Sequence, residues 1–447
     1  MKQSASVNKL VNLLSWFIVL ILFIIPFHAF LTVWLSSLFG HYTLLRLWKE
    51  FLLVPIVIGA VYLLFIKPKL RKKFLNLWLT KFIGLYLVML VIFSLISWNG
   101  HTAPKAVWYG LLVDSRLLIF FMAVMVIASC SDLLYRNWRK ALFIPAIFVA
   151  AFAILQYLIL PYDFLKHFGY GDTTISPYET INHSLNHIRV ASTLRGANPL
   201  GAYLILPICA LAALLFKEKK QRTNITMFGF GLFLALFFSF SRSAWIGVII
   251  AVMLVAWFSL KSQPHKKTLG WVAAGLAIMA SLLLVTLRNN LNFENYVFHT
   301  DRVSKAATSS NQGHTAAFKQ ASKDIIHQPL GRGVGTAGPQ SVYNNKPARI
   351  AENYYLQIGQ EAGIIGVALF ILICAVLGKM LYDNRTDPLA LALFASLIGL
   401  SIVNLLSHAW QDDTIAYIFW GLSGIALAPV IITNRLTVKN DQKIKKS

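Results

Sequence analysis

The chain has 447 residues, 57% hydrophobic and only 13% charged, with a formal net charge of +24. A soluble domain carries roughly 25% charged residues, so a water-soluble enzyme or binding module is excluded. Nucleic acid is excluded as a partner, because the basic residues fall mainly in short runs between apolar blocks, the pattern by which membrane proteins fix their orientation.

The apolar blocks run about 18 to 25 residues, the length that crosses a hydrocarbon core of roughly 30 Å. Continuous apolar blocks of this length are helices, which satisfy their own backbone groups in lipid. The expectation is an all-α integral membrane protein of about 12 transmembrane helices, taken as one polytopic domain over 1–447. The first block, near Leu13 to Val33, is too long for a signal peptide, shows no small-residue cleavage site and is followed by more spans, so it is expected to be retained. Further spans are expected near Phe51–Ile66, Leu77–Ser97, Val107–Ala128 and Ala141–Leu160. A polar outer loop over 161–198 precedes a sixth span, Pro199–Phe216. The seventh and eighth, Ile225–Phe240 and Trp245–Leu260, are joined by the turn Ser241–Ser243. After the ninth, Leu269–Leu287, comes a long outer loop over 288–351 with short helices, one of them expected over His314 to Ile326. The tenth, eleventh and twelfth lie near Tyr355–Leu377, Leu389–Leu406 and Ile415–Ile432.

The loops after spans two, four, six, eight and ten are rich in Lys and Arg, as are both ends of the chain. The positive-inside rule then puts both termini in the cytoplasm and anionic lipid headgroups beside the basic runs. The loops 161–198 and 288–351, the Ser241–Ser243 turn, the His408–Asp413 connection and Glu352 all fall on the outer face. Cys130, Cys209 and Cys374 have unrelated spacing and are read as packing residues.

Several residues could carry chemistry. Arg242 is either a helix-end arginine snorkelling to the interface or, in a small polar nest of serines, a forked donor for phosphate or pyrophosphate. Arg189 and Arg195 either lie in an ordinary solvated loop or join Arg242 as counter-charges at one membrane surface. Glu352 either caps the tenth span or acts as a general base toward an acceptor hydroxyl. Asn353, Tyr354 and Tyr355 would then line a sugar site, with Arg332 and Arg349 positioning substrate from the long loop. Leu330-Gly331-Arg332-Gly333-Val334-Gly335 is a tight outer loop, not a dinucleotide fingerprint, since no strand precedes it. His183 and His187 are four apart but sit in a loop, and Asp412 and Asp413 are adjacent, so no metal site is expected. Asp114 and Arg116 lie inside the fourth span, where ionisable residues are costly; the expectation is that they pair with each other or with another group in the bundle.

These motifs together resemble the bacterial O-antigen ligase/O-antigen polymerase family, polytopic glycosyltransferases acting on polyprenyl-linked glycans. Glu352-Asn353, nine residues, then Gly363-Ile364-Ile365-Gly366 is similar to the ligases' His-(Asn/Ser/Gln), nine residues, Gly-x-x-Gly. Ser241-Arg242-Ser243-Ala244-Trp245 resembles the family's Ser-Arg turn, and the Ser192-to-Gly201 segment its Arg-and-Asn-Pro approach to a span. His327-Gln328-Pro329-Leu330-Gly331-Arg332-Gly333 resembles the family's long-loop pattern. The departure is Glu352, where ligases carry histidine.

The resemblance implies a GT-C-like glycosyltransferase of the plasma (inner) membrane, with its active site on the outer face. It would be metal-independent and inverting, without a cofactor. The donor would be a glycan on undecaprenyl pyrophosphate, the acceptor a glycan or lipid-glycan, and the role that of an O-antigen ligase or polymerase in surface polysaccharide biosynthesis of the cell envelope. Glu352, Arg242 and Arg195 would be catalytic, and Arg189, Asn353, Tyr354, Tyr355, Arg332 and Arg349 substrate-binding. The alternative is a transporter or flippase of the same lipid-linked oligosaccharides. It asks for buried ionisable residues along a path, of which the expected spans hold few beyond Asp114 and Arg116.

Overall fold

The computed structural model describes residues 2–432 except 101, 182–183, 218–221, 261, 288–289, 291–309 and 346. The Lys219–Lys220 run, Lys261, His183, Arg288 and the basic tail from Arg435 onward lie outside the described residues.

The chain is a helical bundle. Its helices are α1 (Lys2–Ile24), α2 (His28–Phe39), α3 (Tyr42–Arg46), α4 (Trp48–Ile66), α5 (Pro68–Asn76), α6 (Trp78–Asn99), α7 (Pro104–Ala128), α8 (Leu133–Leu158), α9 (Ala197–Lys217), α10 (Arg222–Phe238), α11 (Arg242–Ser259) and α12 (Gln263–Thr286). Four more follow: α13 (Ser310–His327), α14 (Tyr354–Asp383), α15 (Pro388–Val403) and α16 (Asp413–Ile432). Each expected apolar block coincides with helix. Among the described residues, nine helical stretches are long and apolar enough to cross a membrane, the first being α1 and α2 joined through a 3-10 turn. Thr226–Phe238 and Pro388–Val403 are shorter apolar helices.

The bundle is inverted relative to a soluble protein in one respect. Large apolar side chains such as Phe51, Ile58, Phe65, Trp78 and Leu95 stand exposed on its outside, the surface that suits hydrocarbon rather than water. The interior is built on α7, α9, α11, α15 and α16, which pack mutually. Without a hydrophobic force between helices in lipid, close packing is what holds them, and small residues permit it. A Cβ on Gly399 of α15 would lie 2.7 Å from the Gly247 carbonyl oxygen of α11, so only glycine allows that crossing.

The 161–198 loop is not wholly irregular. Glu179–Ile181 and Ser184–Arg189 (β1 and β2) form an antiparallel hairpin with Glu179 opposite Arg189 and Thr180 opposite Ile188. The β-branched residues at these positions favour the extended backbone. The hairpin delivers Arg189 to the start of α9.

Asp114 and Arg116 pair with other groups in the bundle, the second of the two expected arrangements. Arg116 holds Glu50 of α4 and Asp413 of α16, and Lys49 lies 3.2 Å from both carboxylates, with His28 3.4 Å from Asp413. Asp114 instead accepts from Gln411 at 3.2 Å and bonds Glu361 of α14. The physical reason is spacing: residues two apart on a helix face different neighbours. Lys49 and Glu50 escaped the sequence reading, and Asp413 was weighed only as a metal ligand, because they sit at the ends of apolar blocks, where basic and acidic residues are ordinary. Here the bundle buries them.

Candidate functional site

One end of the bundle gathers the segments expected on a common face: the hairpin, the Ser241 turn, the long loop and the His408–Asp413 connection. Glu352 lies at this end, against His314 of the long loop and near His408. It does not cap α14. That role belongs to Asn353, whose Oδ1 accepts from Leu356 N at 3.0 Å while its Nδ2 donates to the Leu405 carbonyl at 2.8 Å. An N-cap of this kind contributes about 1 kcal/mol, and it leaves the Glu352 carboxylate without a helix to serve. Glu352 itself has φ +51°, a left-handed conformation that costs a non-glycine residue roughly 1–3 kcal/mol. Its Oε2 contacts Nδ1 of His314, carried on α13. That contact holds the carboxylate below its ordinary pKa, against the opposing effect of partial burial.

Across from Glu352 lies His408, which feels its charge. Burial, then the Arg195 guanidinium, push the His408 imidazole down to about 4, so it is neutral at neutral pH. Arg195 Nε donates to Asp412 Oδ2 at 2.7 Å, with Asp412 buried and the Arg195 side chain 45% exposed. Two clefts meet at this pair. One, about 240 Å³, is lined by Glu179, Arg195, Asn198, Ser407, His408 and Asp412. The other, about 320 Å³, is lined by Arg195 and Asp412 with His28, Tyr42, Arg46 and Thr174. Arg195 therefore offers a cation to both.

Arg189 is committed more deeply. Its Nη2 donates to Asn198 Oδ1 at 2.6 Å, its Nε to the Ser239 carbonyl at 3.1 Å, and Glu179 lies 3.6 Å away. It ties the hairpin and α9 to the turn before α11. Arg242 opens α11 with Ser241 before it and lies within electrostatic reach of Arg189. Two guanidinium groups held near each other repel, and an anion between or beside them relieves that repulsion.

The other expected contacts are placed differently. Tyr354 is buried, edge-on to Phe370, and Tyr355 Oη donates to the Ser401 carbonyl at 3.3 Å. Both face the bundle, as does the fully bonded amide of Asn353; a role in lining a sugar site finds no support in these contacts. Arg332 and Arg349 converge on Asp324 of α13, at 2.8 and 3.5 Å. Gln320 and Gln360 donate to the same buried carboxylate at 3.1 and 2.9 Å. Asp324 thus docks α13 on α14.

The Gly363-x-x-Gly366 motif has a structural cause. Gly363 breaks α14 at φ +64°, and its amide region packs directly on the 329–331 backbone: a Cβ there would lie 2.3 Å from the Pro329 carbonyl oxygen. Gly331, at φ +84°, approaches the Glu361 carbonyl from the other side. These two glycines seat the Pro329–Gly333 loop on the kink. The helix α13, not a strand, leads into that loop.

Sequence reasoning missed His314 and His408 as parts of the site. Nothing local marks either one; only the docking of α13, which brings the long loop over Glu352, reveals the first. Asp412 and Asp413 diverge, one to Arg195 and the other to Arg116. Among the described residues, no three His, Cys, Asp or Glu side chains are grouped to hold a metal ion.

Residues 227–371 match the family model described as O-Antigen ligase. The match takes in Arg242, His314, Glu352 and the Gly363-x-x-Gly366 kink, and covers roughly a third of the chain. It supports the family resemblance, and with the apolar helices it supports an O-antigen ligase-type glycosyltransferase of multi-pass membrane architecture. No curated protein matches the chain.

Proposed function

We propose that this chain transfers a glycan from a polyprenyl-pyrophosphate donor to an acceptor hydroxyl at the outer leaflet of the plasma membrane. The observation that carries the reading is the gathering of one uncapped carboxylate, Glu352, with the Arg195–Asp412 pair and the Arg189–Arg242 cations at one end of the bundle. Attack of the acceptor oxygen on the anomeric carbon builds negative charge on the departing pyrophosphate. Preorganised guanidinium groups stabilise such charge, and removing one donor of this type typically costs about 10²–10³ in rate. Arg242 and Arg195 fill that role, and Arg189 holds the turn that aims Arg242. The acceptor proton leaves toward Glu352. Displacement by a hydroxyl in one step inverts the anomeric centre, and the guanidinium groups supply the counter-charge without calling on a metal.

The basic loops support a cytoplasmic placement of both termini and, with it, an outer placement of the Glu352 end of the bundle. Whether the acceptor is a growing repeat unit or a finished lipid-glycan separates polymerase from ligase, and the Glu352 departure favours the polymerase.

The second reading, a transporter of the same lipid, gains support from the buried Lys49–Glu50–Arg116–Asp413 network. Its two cations and two carboxylates compensate one another, which suits a structural role better than a path for a charged headgroup. Detergent-purified protein given lipid-linked donor and acceptor in a single compartment separates the two. Covalent product supports the transferase; no product there, with donor translocation in vesicles, supports the transporter.

A further inference from the structure

We propose that His314 is the residue that takes the acceptor proton, with Glu352 holding it from behind. This deepens the glycosyl-transfer reading and rests on it. The Glu352 Oε2 contact is to Nδ1 of the imidazole. A carboxylate at one ring nitrogen fixes the proton there and leaves the other nitrogen, Nε2, with its lone pair outward. The His314 side chain is 36% exposed, so the imidazole is not sealed in the bundle. A carboxylate behind an imidazole also stabilises the imidazolium once the proton has arrived, the division of labour found in hydrolytic triads.

Glu352 alone is the poorer base. Its carboxylate is held below its ordinary range by His314, and proton acceptors work best when their pKa lies near the working pH. The fold also invests in placing His314. Asp324, on the same helix, accepts from Gln320, Arg332 and Gln360, and Ile325 packs on Gly359, where an added Cβ would lie 2.6 Å from it. These contacts fix the C-terminal half of α13 against α14. Ten residues earlier, about 15 Å along the helix, His314 meets Glu352. The other charged or titratable groups near the dyad are His408, which interacts with Glu352, and Arg195, which interacts with His408.

In the step, the acceptor O–H bond breaks and its proton passes to His314 Nε2. The oxygen's electron pair forms the bond to the anomeric carbon. The bond from that carbon to the pyrophosphate oxygen breaks, its electrons leaving with the lipid pyrophosphate, and the imidazolium then releases its proton to water.

The test is transfer by purified protein with lipid-linked donor and acceptor, comparing wild type, His314→Ala, Glu352→Ala and the double variant Glu352→His/His314→Ala, with helix content checked for each. General-base catalysis contributes about 10²–10⁴-fold, so His314→Ala should lose at least about 10²-fold in kcat with KM little changed. Added imidazole should restore part of that loss in His314→Ala, and the double variant, which puts an imidazole at position 352, should recover transfer to within about tenfold of wild type. Wild-type rates from His314→Ala, alongside an inactive Glu352→Ala, would overturn the assignment and make Glu352 the base, leaving glycosyl transfer intact. A dead His314→Ala that neither imidazole nor the double variant restores overturns it as well, reducing His314 to a docking contact. Wild-type protein that makes no product defeats the transfer reading itself.

Discussion

Arg195 donates to Asp412 across 2.7 Å, and both residues line each of the two clefts at the Glu352 end of the bundle. The bond joins the segment leading into α9 to the connection before α16, and holds a cation at the wall between the clefts. Asp412→Asn keeps the shape but removes the charge that orients Arg195. Charge-assisted hydrogen bonds are about twice as strong as neutral ones, so the guanidinium should lose its fixed aim. Transfer should fall roughly 10- to 100-fold, mainly in kcat, because charge on the leaving group grows only in the transition state. Steady-state kinetics with varied donor check this; an unchanged kcat removes Arg195 from leaving-group stabilisation.

Asp324 is the anchor of the long loop. Asp324→Ala leaves Arg332 and Arg349 without the carboxylate they share, and breaking a buried pair by removing one partner costs about 3–5 kcal/mol. The cost falls on the docking of α13 rather than on the bundle. Limited proteolysis should cut the 288–351 segment faster in this variant while the apolar core remains protected, and transfer should fall with it.

Stability should depend on pH through His408. An unfolded histidine titrates near about 6.5, whereas burial and Arg195 push His408 to about 4 in the fold. Between those values the unfolded chain binds more protons than the folded one, so stability falls as pH drops from about 6.5 toward 4. Glu352, also held low, adds a loss in the same direction once pH falls below the usual carboxylate range. Melting curves in detergent across this range should show the slope in wild type and a flatter one in His408→Gln.

Gly363→Ala should undo the kink in α14. At φ +64° a side chain is strained, and its Cβ would meet the Pro329 carbonyl oxygen at 2.3 Å, with no flexible group to give way. The expected cost is at least about 2 kcal/mol, seen as a lower melting temperature and a Pro329–Gly333 loop open to protease. Ala at Gly270, where nothing lies within 4 Å, is the matched control.

The sequence made the membrane class and the positions of the apolar helices plain, because uninterrupted apolar blocks leave the backbone one solution in lipid. It also pointed to Arg195, Arg242 and Glu352, residues out of keeping with their surroundings. Contacts between distant segments were not legible. For Asp114 and Arg116 the choice between mutual pairing and pairing elsewhere in the bundle stayed open, because closeness in sequence says nothing about which neighbouring helix each side chain faces. The contacts of Arg332 and Arg349 with Asp324 were hidden because Asp324 is distant from Arg349 in sequence and unremarkable in its helix. His314 became visible only when α13 came to rest over Glu352. From sequence, Glu352 and Asn353 are equally placed to cap the helix, and the structure gives that role to Asn353.

The central claim is that this end of the bundle performs glycosyl transfer with Glu352 at its proton-accepting side. The most direct measurement is product formation by purified Glu352→Ala and Arg242→Ala proteins, each inserted and folded as wild type, from a lipid-linked donor and its acceptor. Wild type should yield product, while both variants should fall by about 10²-fold or more. Product at the wild-type rate from Glu352→Ala would contradict the account.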